Sequence, residues 1–229
     1  MKKFIVVLIV LAVVVFGGAQ IVLPGFVQKQ LEAQIGGQLQ AESVNLHVES
    51  SPALRLALGD VDVFRGDLEN VKLGTLNFAD IHFDIANMQL DPVDLLMNRR
   101  VTIKSLGSGE IEGTVTQNDL QHFMEANVKG LNINQVIVKS DGLEIVGTID
   151  IGVITGTADI KGRLELNQNQ LQFSPQRFEI NGAGIGGLNA GVLKPIAVYD
   201  FGKFPIPVTA QRLDTENGEI HVYVSPVSK

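Results

Sequence analysis

The chain has 229 residues, a formal charge of −7, no cysteine and no tryptophan. Setting aside Lys2 and Lys3 leaves 16 basic against 25 acidic side chains, which argues against nucleic acid as a partner and against a polybasic patch reading anionic lipid headgroups. Without cysteine the protein is neither a disulfide scaffold nor an acylated lipoprotein, and a chain of this length can bury a core without covalent staples.

Residues Phe4 to Leu23 form an uncharged apolar run, preceded by Lys2 and Lys3 and closed by Pro24. Twenty residues at a rise of about 1.5 Å cover about 30 Å, the thickness of a bilayer core. Residues 1–24 are therefore expected to be a transmembrane anchor or uncleaved signal segment, and 25–229 a separate domain. The two lysines put the N-terminus in the cytoplasm and the domain outside it, at the cell membrane. The alternative is a secreted domain released by cleavage near Gly17-Gly18-Ala19, although Ile21, Val22 and Leu23 carry the apolar run past that site.

Val27, Leu31 and Ile35, four apart and followed by Gly36-Gly37, predict an amphipathic helix over Phe26–Ile35. From Ser43 the period changes to two: Val44, Leu46 and Val48, then Val61 and Val63, then Ile81, Phe83 and Ile85 read as strands. Pro92 to Met97 reads as a turn or two of helix, and Val101, Ile103, Ile111, Thr114 and Thr116 as a further strand region. Thr116 with Asp119 forms a capping box for a helix over Asp119–Val128, whose Leu120, Phe123, Met124 and Val128 make one apolar stripe.

The longest alternations follow. Leu143, Ile145, Ile149, Ile151 and Val153 share a face; so do Ala158, Ile160, Leu164 and Leu166; Leu171 and Phe173, then Phe178 and Ile180, continue the series. These runs are about ten residues each, against about five or six for ordinary strands. Gly147 and Gly162 stand at apolar-face positions, where a missing side chain favours a bulge or the close approach of another group. A last helix is expected over Leu188–Tyr199, broken by Pro195. The fold class is α+β: an N-terminal transmembrane helix, then a long curved antiparallel sheet with a few short helices covering its apolar face. Such a face either closes on itself as an ordinary core or leaves a groove for an apolar ligand.

Chemistry is thinly represented. Gly182-Ala183-Gly184-Ile185-Gly186-Gly187 satisfies the dinucleotide pattern G-x-G-x-x-G, but the strands before it alternate, whereas a parallel nucleotide-binding sheet is buried on both faces. Asp80, His82 and Asp84 share one strand face and could approach a metal, yet a solvated polar face explains them equally. Glu110 and Glu112 share a strand face as glycosidase carboxylates could, but nothing nearby suggests a sugar cleft, and the chain has no tryptophan. Gly107-Ser108-Gly109 lacks the first glycine of a nucleophile elbow, with Leu106 in its place. His47, His122 and His221 have no legible triad partner.

Leu164-Glu165-Leu166, the turn Asn167-Gln168-Asn169, Leu171-Gln172-Phe173-Ser174-Pro175 and Phe178-Glu179-Ile180-Asn181-Gly182 resemble the late segment of the LmeA-type phospholipid-binding family. Phe204-Pro205-Ile206-Pro207 with Val208, Leu213, Asn217-Gly218 and Ile220-His221-Val222 is similar to its closing unit. Thr116 to Met124 and Gly59 to Val63 resemble its short helix and early strand. The resemblance spans Ser43 to Val224 and implies an envelope protein that binds phospholipid in a hydrophobic groove, with a fold related to tubular lipid-binding domains. It brings no catalytic residues and no cofactor. The expectation is thus a non-enzymatic, membrane-anchored protein whose partner is membrane phospholipid, with a groove lined by Phe123, Ile149, Ile151, Ile160, Leu164, Leu166, Phe173 and Leu193. The alternative is a structural or interaction ectodomain with a self-filled core, supporting an envelope complex.

Overall fold

The computed structural model describes residues 2–151, 154–184, 194–216 and 218–227, without the side chains of 2–17, 19, 150, 151, 154 and 184. The protein is α+β and mostly antiparallel sheet, and it divides into two compact units. The first comprises Met1–Leu68, His82–Glu110 and Pro226–Lys229; the second comprises Glu69–Ile81 and Ile111–Ser225.

A single helix, α1 (Lys2–Leu39), runs through Pro24, so the expected break between the apolar run and the amphipathic helix is absent. Val27 and Leu31 are fully buried, which fixes the C-terminal part of α1 onto the first unit. Gln34 holds it there as well: its amide donates to the Val101 carbonyl and its carbonyl accepts from the Val101 N–H, both at 2.9 Å. Among the described residues no helix is long and apolar enough to cross a membrane. Most of the expected anchor lies outside the described side chains.

β1 (Ser43–Glu49), a 3₁₀ turn (Ala53–Leu58), β2 (Asp60–Leu73), β3 (Leu76–Leu90), α2 (Pro92–Met97) and β4 (Ile103–Ser105) follow. In β2 the buried positions run Phe64, Gly66, Leu68 and then Val71, Leu73; in β3 they run Ile81, Phe83, Ile85 and then Met88, Leu90. The alternation slips by one at Asn70 and Asn87, both at positive φ (51° and 57°), where asparagine tolerates the left-handed conformation that re-aims a strand. The expected strand over Val101–Thr116 is split into β4 and β5 (Gly109–Thr116).

The chain then enters α3 (Gln117–Asn127), β6 (Asn132–Lys139), β7 (Gly142–Ile151), β8 (Ile154–Asn167), β9 (Gln170–Ile180), β10 (Ala183–Gly184), β11 (Ile196–Asp200), β12 (Val208–Glu216) and β13 (Glu219–Pro226). The strands form two sheets where the pattern suggested one. The first has the order β1-β2-β3-β5-β13-β12, with β4 on β3; the second has the order β10-β9-β8-β7-β6, with β11 on β9. All five pairings of the second sheet are antiparallel.

The sheets part at α3. The Val138 N–H donates to Gln117 Oε1 at 3.1 Å and the Val136 N–H to Gln121 Oε1 at 3.4 Å. Side chains of α3 thereby satisfy two of the N–H groups on the free edge of β6. The helix expected over Leu188–Tyr199 is corrected where it is described: Ile196–Asp200 is β11, paired to β9 with Ile196 opposite Phe173 and Tyr199 opposite Leu171. Pro195 cannot donate within a helix, and the branched Ile196 and Val198 suit a strand.

Candidate lipid-binding surface

Directly opposed residues of antiparallel strands share a face. In the second sheet, Val136, Ile145, Ile160 and Phe178 line up across β6, β7, β8 and β9. Gly147, Ala158 and Ile180 form the next row on one side, and Leu143, Gly162 and Pro175 the next on the other. Leu164 stands opposite Phe173, and Leu166 opposite Leu171. One face of the sheet is thus apolar from end to end.

The opposite face carries charge. Lys161 lies 3.2 Å from Asp159 and 3.4 Å from Glu144, Lys139 also pairs with Glu144, and Arg177 pairs with Glu179. Hydrogen bonds from Lys139 and then Lys161 hold the Glu144 carboxyl below its usual range. Asp159, and after it Glu144, raises the Lys161 ammonium. These pairs join half-exposed cations to largely covered carboxylates, the Glu144 and Glu179 side chains being 15% exposed. They oppose register slips, since a shift of one residue would carry these charges to the apolar side.

The apolar face is not uniformly covered. Val136, Leu143, Ile145, Ala158, Leu171 and Phe173 are buried, whereas Ile149, Ile160, Leu164, Leu166, Phe178 and Ile180 are only half-buried. The face is closed over β6 and the start of β7, and stays partly open along β8 and the end of β9. Gly162 makes the closed part possible: a Cβ there would fall 2.7 Å from the Phe173 ring, and the β8–β9 register shifts beside it. At Gly147 a Cβ would meet Leu131 at 2.9 Å, and the β6–β7 register shifts opposite, between Ile133 and Gln135. Both glycines act as their apolar-face positions suggested.

Of the expected groove residues, Ile149, Ile160, Leu164 and Leu166 fall on the half-open part of this face. Phe173 is on the same face but fully buried, and Phe123 is buried on α3 beside Leu120 and Met124. Leu193 and the side chain of Ile151 lie outside the described residues. Phe178 and Ile180 belong with the half-open residues but were not among those expected to line the groove. Their alternation was visible, but only the β8–β9 register puts them beside Ile160 and Ala158.

Elsewhere in the second unit, Phe78, Ile81, Ile111, Gly113, Phe201 and Phe204 border a shallow apolar concavity whose enclosed space is about 10 Å³, enough for one water-sized sphere. Tyr199 sits edge-on between Phe78 and Phe201, at ring separations of 5.6 and 5.0 Å. Burial, assisted by Asp200, pushes its phenol up to about 12.

The polar candidates do not converge. His82 bonds to Asp67 at 2.6 Å, Asp84 accepts from Arg65 at 2.8 Å, and Asp80 accepts from Thr114 at 3.0 Å, so the three have separate partners. Among the described residues no group of three His, Cys, Asp or Glu side chains is placed to hold a metal. Glu110 is exposed, while Glu112 accepts from Tyr223 at 2.9 Å and meets His221 Nδ1 at 3.1 Å. Thr114 approaches that same nitrogen at 3.4 Å, so Thr114, His221 and Glu112 are no relay: a triad needs its two partners on different ring nitrogens. Of the glycine-rich motif, Asn181 and Gly182 form a left-handed turn (φ 52° and 75°), and Ala183–Gly184 is a strand where a phosphate site requires a helix start. Residues 185–187 lie outside the described residues.

An α+β protein with one amphipathic antiparallel sheet, ion-paired outside and half-open on its apolar side, is the class these observations define. The chain matches the family model described as LmeA-like phospholipid-binding over residues 18–225, and it belongs to that family. No curated protein and no solved structure matches it.

Proposed function

We propose that this protein is a membrane-anchored, extracytoplasmic carrier that holds phospholipid acyl chains against the half-open apolar face of its second sheet, without catalysis. The residues that carry the reading are Ile149, Ile160, Leu164 and Leu166, half-buried along an otherwise apolar face in a member of a phospholipid-binding family. Each methylene removed from water contributes about 0.8 kcal/mol, so ten carbons supply about 8 kcal/mol without a charged headgroup site. The apolar run Phe4–Leu23 supports anchoring by a single span, with Lys2 and Lys3 on the cytoplasmic side. On this reading the half-open face is the described part of a tubular lipid-binding type of groove.

A second reading, a scaffold ectodomain with a self-filled interior, draws on the close packing around Phe78, Tyr199 and Phe201, where only a water-sized space remains. Native mass spectrometry decides between them. A chain beginning at Gln20 keeps the buried Val27 and Leu31 and the bond from the Ala53 N–H to Gln20 Oε1. Purified without detergent, it is expected to carry a stoichiometric mass excess that extracts as phospholipid. A clean apo mass, also after incubation with mixed liposomes, would leave the scaffold reading standing.

A further inference from the structure

All eight large apolar side chains that are exposed among the described residues lie in the first unit. Three of them, Val93, Leu96 and Met97, follow the i, i+3, i+4 spacing of one helix face on α2, with Val93 61% and Met97 79% exposed. Leu58, 66% exposed, ends the 3₁₀ turn that packs on α2, and Ile103 follows on β4.

The wedge is held rigidly. Leu95, on the opposite side of α2, is fully buried, and the Asp91 carboxylate accepts from the N–H groups of Val93 and Asp94 at 2.8 and 3.0 Å. The Asp94 carboxylate accepts from Thr102, Asn98 and Arg100 at 2.6, 2.8 and 2.9 Å, and these bonds hold it well below the usual carboxylate range. A floppy or collapsing loop would not keep three large apolar groups in water. A fixed mount does.

Two features identify what the wedge meets. Residues 91–109 carry Arg99, Arg100 and Lys104 against Asp91 and Asp94, in a chain of net charge −7; Arg100 pairs with Asp94 at 2.9 Å and Lys104 with Asp91 at 3.1 Å, which leaves Arg99 as the cation of this segment without a carboxylate partner among the described residues. Apolar wedge residues beside an unopposed cation match the headgroup boundary of an anionic bilayer, where the side chains enter and the cation meets phosphate. The 3₁₀ turn is also tied to α1 where the apolar run of α1 ends: the Ala53 N–H donates to Gln20 Oε1 at 3.0 Å, beside Ile21 and Val22, which are 81% and 66% exposed. The wedge therefore belongs to the part of the chain that leads into that run.

We infer that Val93, Leu96 and Met97, with Arg99, seat the first unit on the surface of an anionic phospholipid bilayer, as a second contact besides the apolar run of α1. This rests on the membrane reading above but not on the carrier reading.

The chain has no cysteine, so a polarity-sensitive dye can be placed singly on the full-length protein by Met97→Cys, Val93→Cys or, as a control, Asp67→Cys. Asp67 is exposed and lies about 23 Å along β2 from Asp60. The proteins are reconstituted into vesicles of phosphatidylcholine, alone or mixed with phosphatidylglycerol, containing nitroxide-labelled lipid. Dyes at 93 and 97 are expected to shift to the blue and be quenched several-fold more than the dye at 67, more strongly with phosphatidylglycerol. Arg99→Glu is expected to remove that dependence.

Quenching at 97 no greater than at 67 would overturn the proposal. So would a shift that grows with protein density and ignores the nitroxide, which would make the occupant a second copy. Equal quenching with and without phosphatidylglycerol would overturn the anionic surface. Lipid extracted from the Gln20-start chain is a separate readout, so loss of the wedge contact and loss of bound cargo are distinguishable.

Discussion

At Gly162 one missing side chain decides how the second sheet is covered. A Cβ there would fall 2.3 Å from the Ser174 carbonyl oxygen and 2.7 Å from the Phe173 ring, which is itself fully buried. Gly162→Ala is expected to cost about 1–3 kcal/mol by overpacking, read from the midpoint of urea unfolding at unchanged slope. Tyr199 is the second decisive residue. Its phenol is raised to about 12 from an ordinary 10, first by burial and then by Asp200. Between those values the unfolded chain has released a proton that the folded chain retains, so stability falls as pH rises from about 10 to about 12. Tyr199→Phe is expected to flatten that alkaline loss, and thermal unfolding followed across the window checks it.

Among the elements, α3 has the most precise local instructions. Thr116 accepts from the Asp119 N–H at 3.2 Å while the Asp119 carboxylate reaches back to the Thr116 N–H at 3.4 Å, a complete capping box. Asp119 also accepts from Asn77 at 2.8 Å, tying the start of the helix to β3. Thr116→Ala is expected to lower stability by about 1 kcal/mol, within a range of about 0.5–2, measured by chemical denaturation. The helix was legible because cap and stripe are both local. Its second role was not: Gln117 and Gln121 look like ordinary exposed helix residues until β6 is beside them, and only then do they become the partners of that strand's free N–H groups. Gln121→Ala with Gln117→Ala is expected to raise amide exchange at Val136 and Val138 selectively, since their donors would turn to water.

For the molecule as a whole, the consequential feature is an apolar face closed at one end and half-open along β8. Ile160 stands between Ile145 and Phe178, and Leu164 opposite Phe173, with neither side chain fully covered. Replacing both with asparagine is expected to reduce retained phospholipid several-fold while circular dichroism and the unfolding midpoint stay near those of the parent chain. A collapse of the fold with no separable change in lipid would identify the pair as ordinary core. The contrast is physical: half-buried side chains lose little on becoming polar, while fully buried ones leave an unsatisfied group.

By itself, the sequence determined whatever depends on neighbours a few residues away. The period of two from Ser43 onward required strands, the Thr116–Asp119 spacing required a helix, and the apolar and charged sides of β7, β8 and β9 followed from alternation alone. The family was legible too, from the residues Leu164–Gly182 and Phe204–Val222, which fall within the matched stretch 18–225. The tertiary structure decided everything set by register and closure. It separated one expected sheet into two, with α3 side chains taking two N–H groups on the edge of β6. It made Ile196–Asp200 a strand, because β9 had an edge to offer. It brought Phe178 and Ile180 to Ile160 and Ala158, buried Phe123 and Phe173, and left Ile160 and Leu164 half in water. Alternation says which side of a strand is apolar, but how much of that side is covered depends on chain far away in sequence.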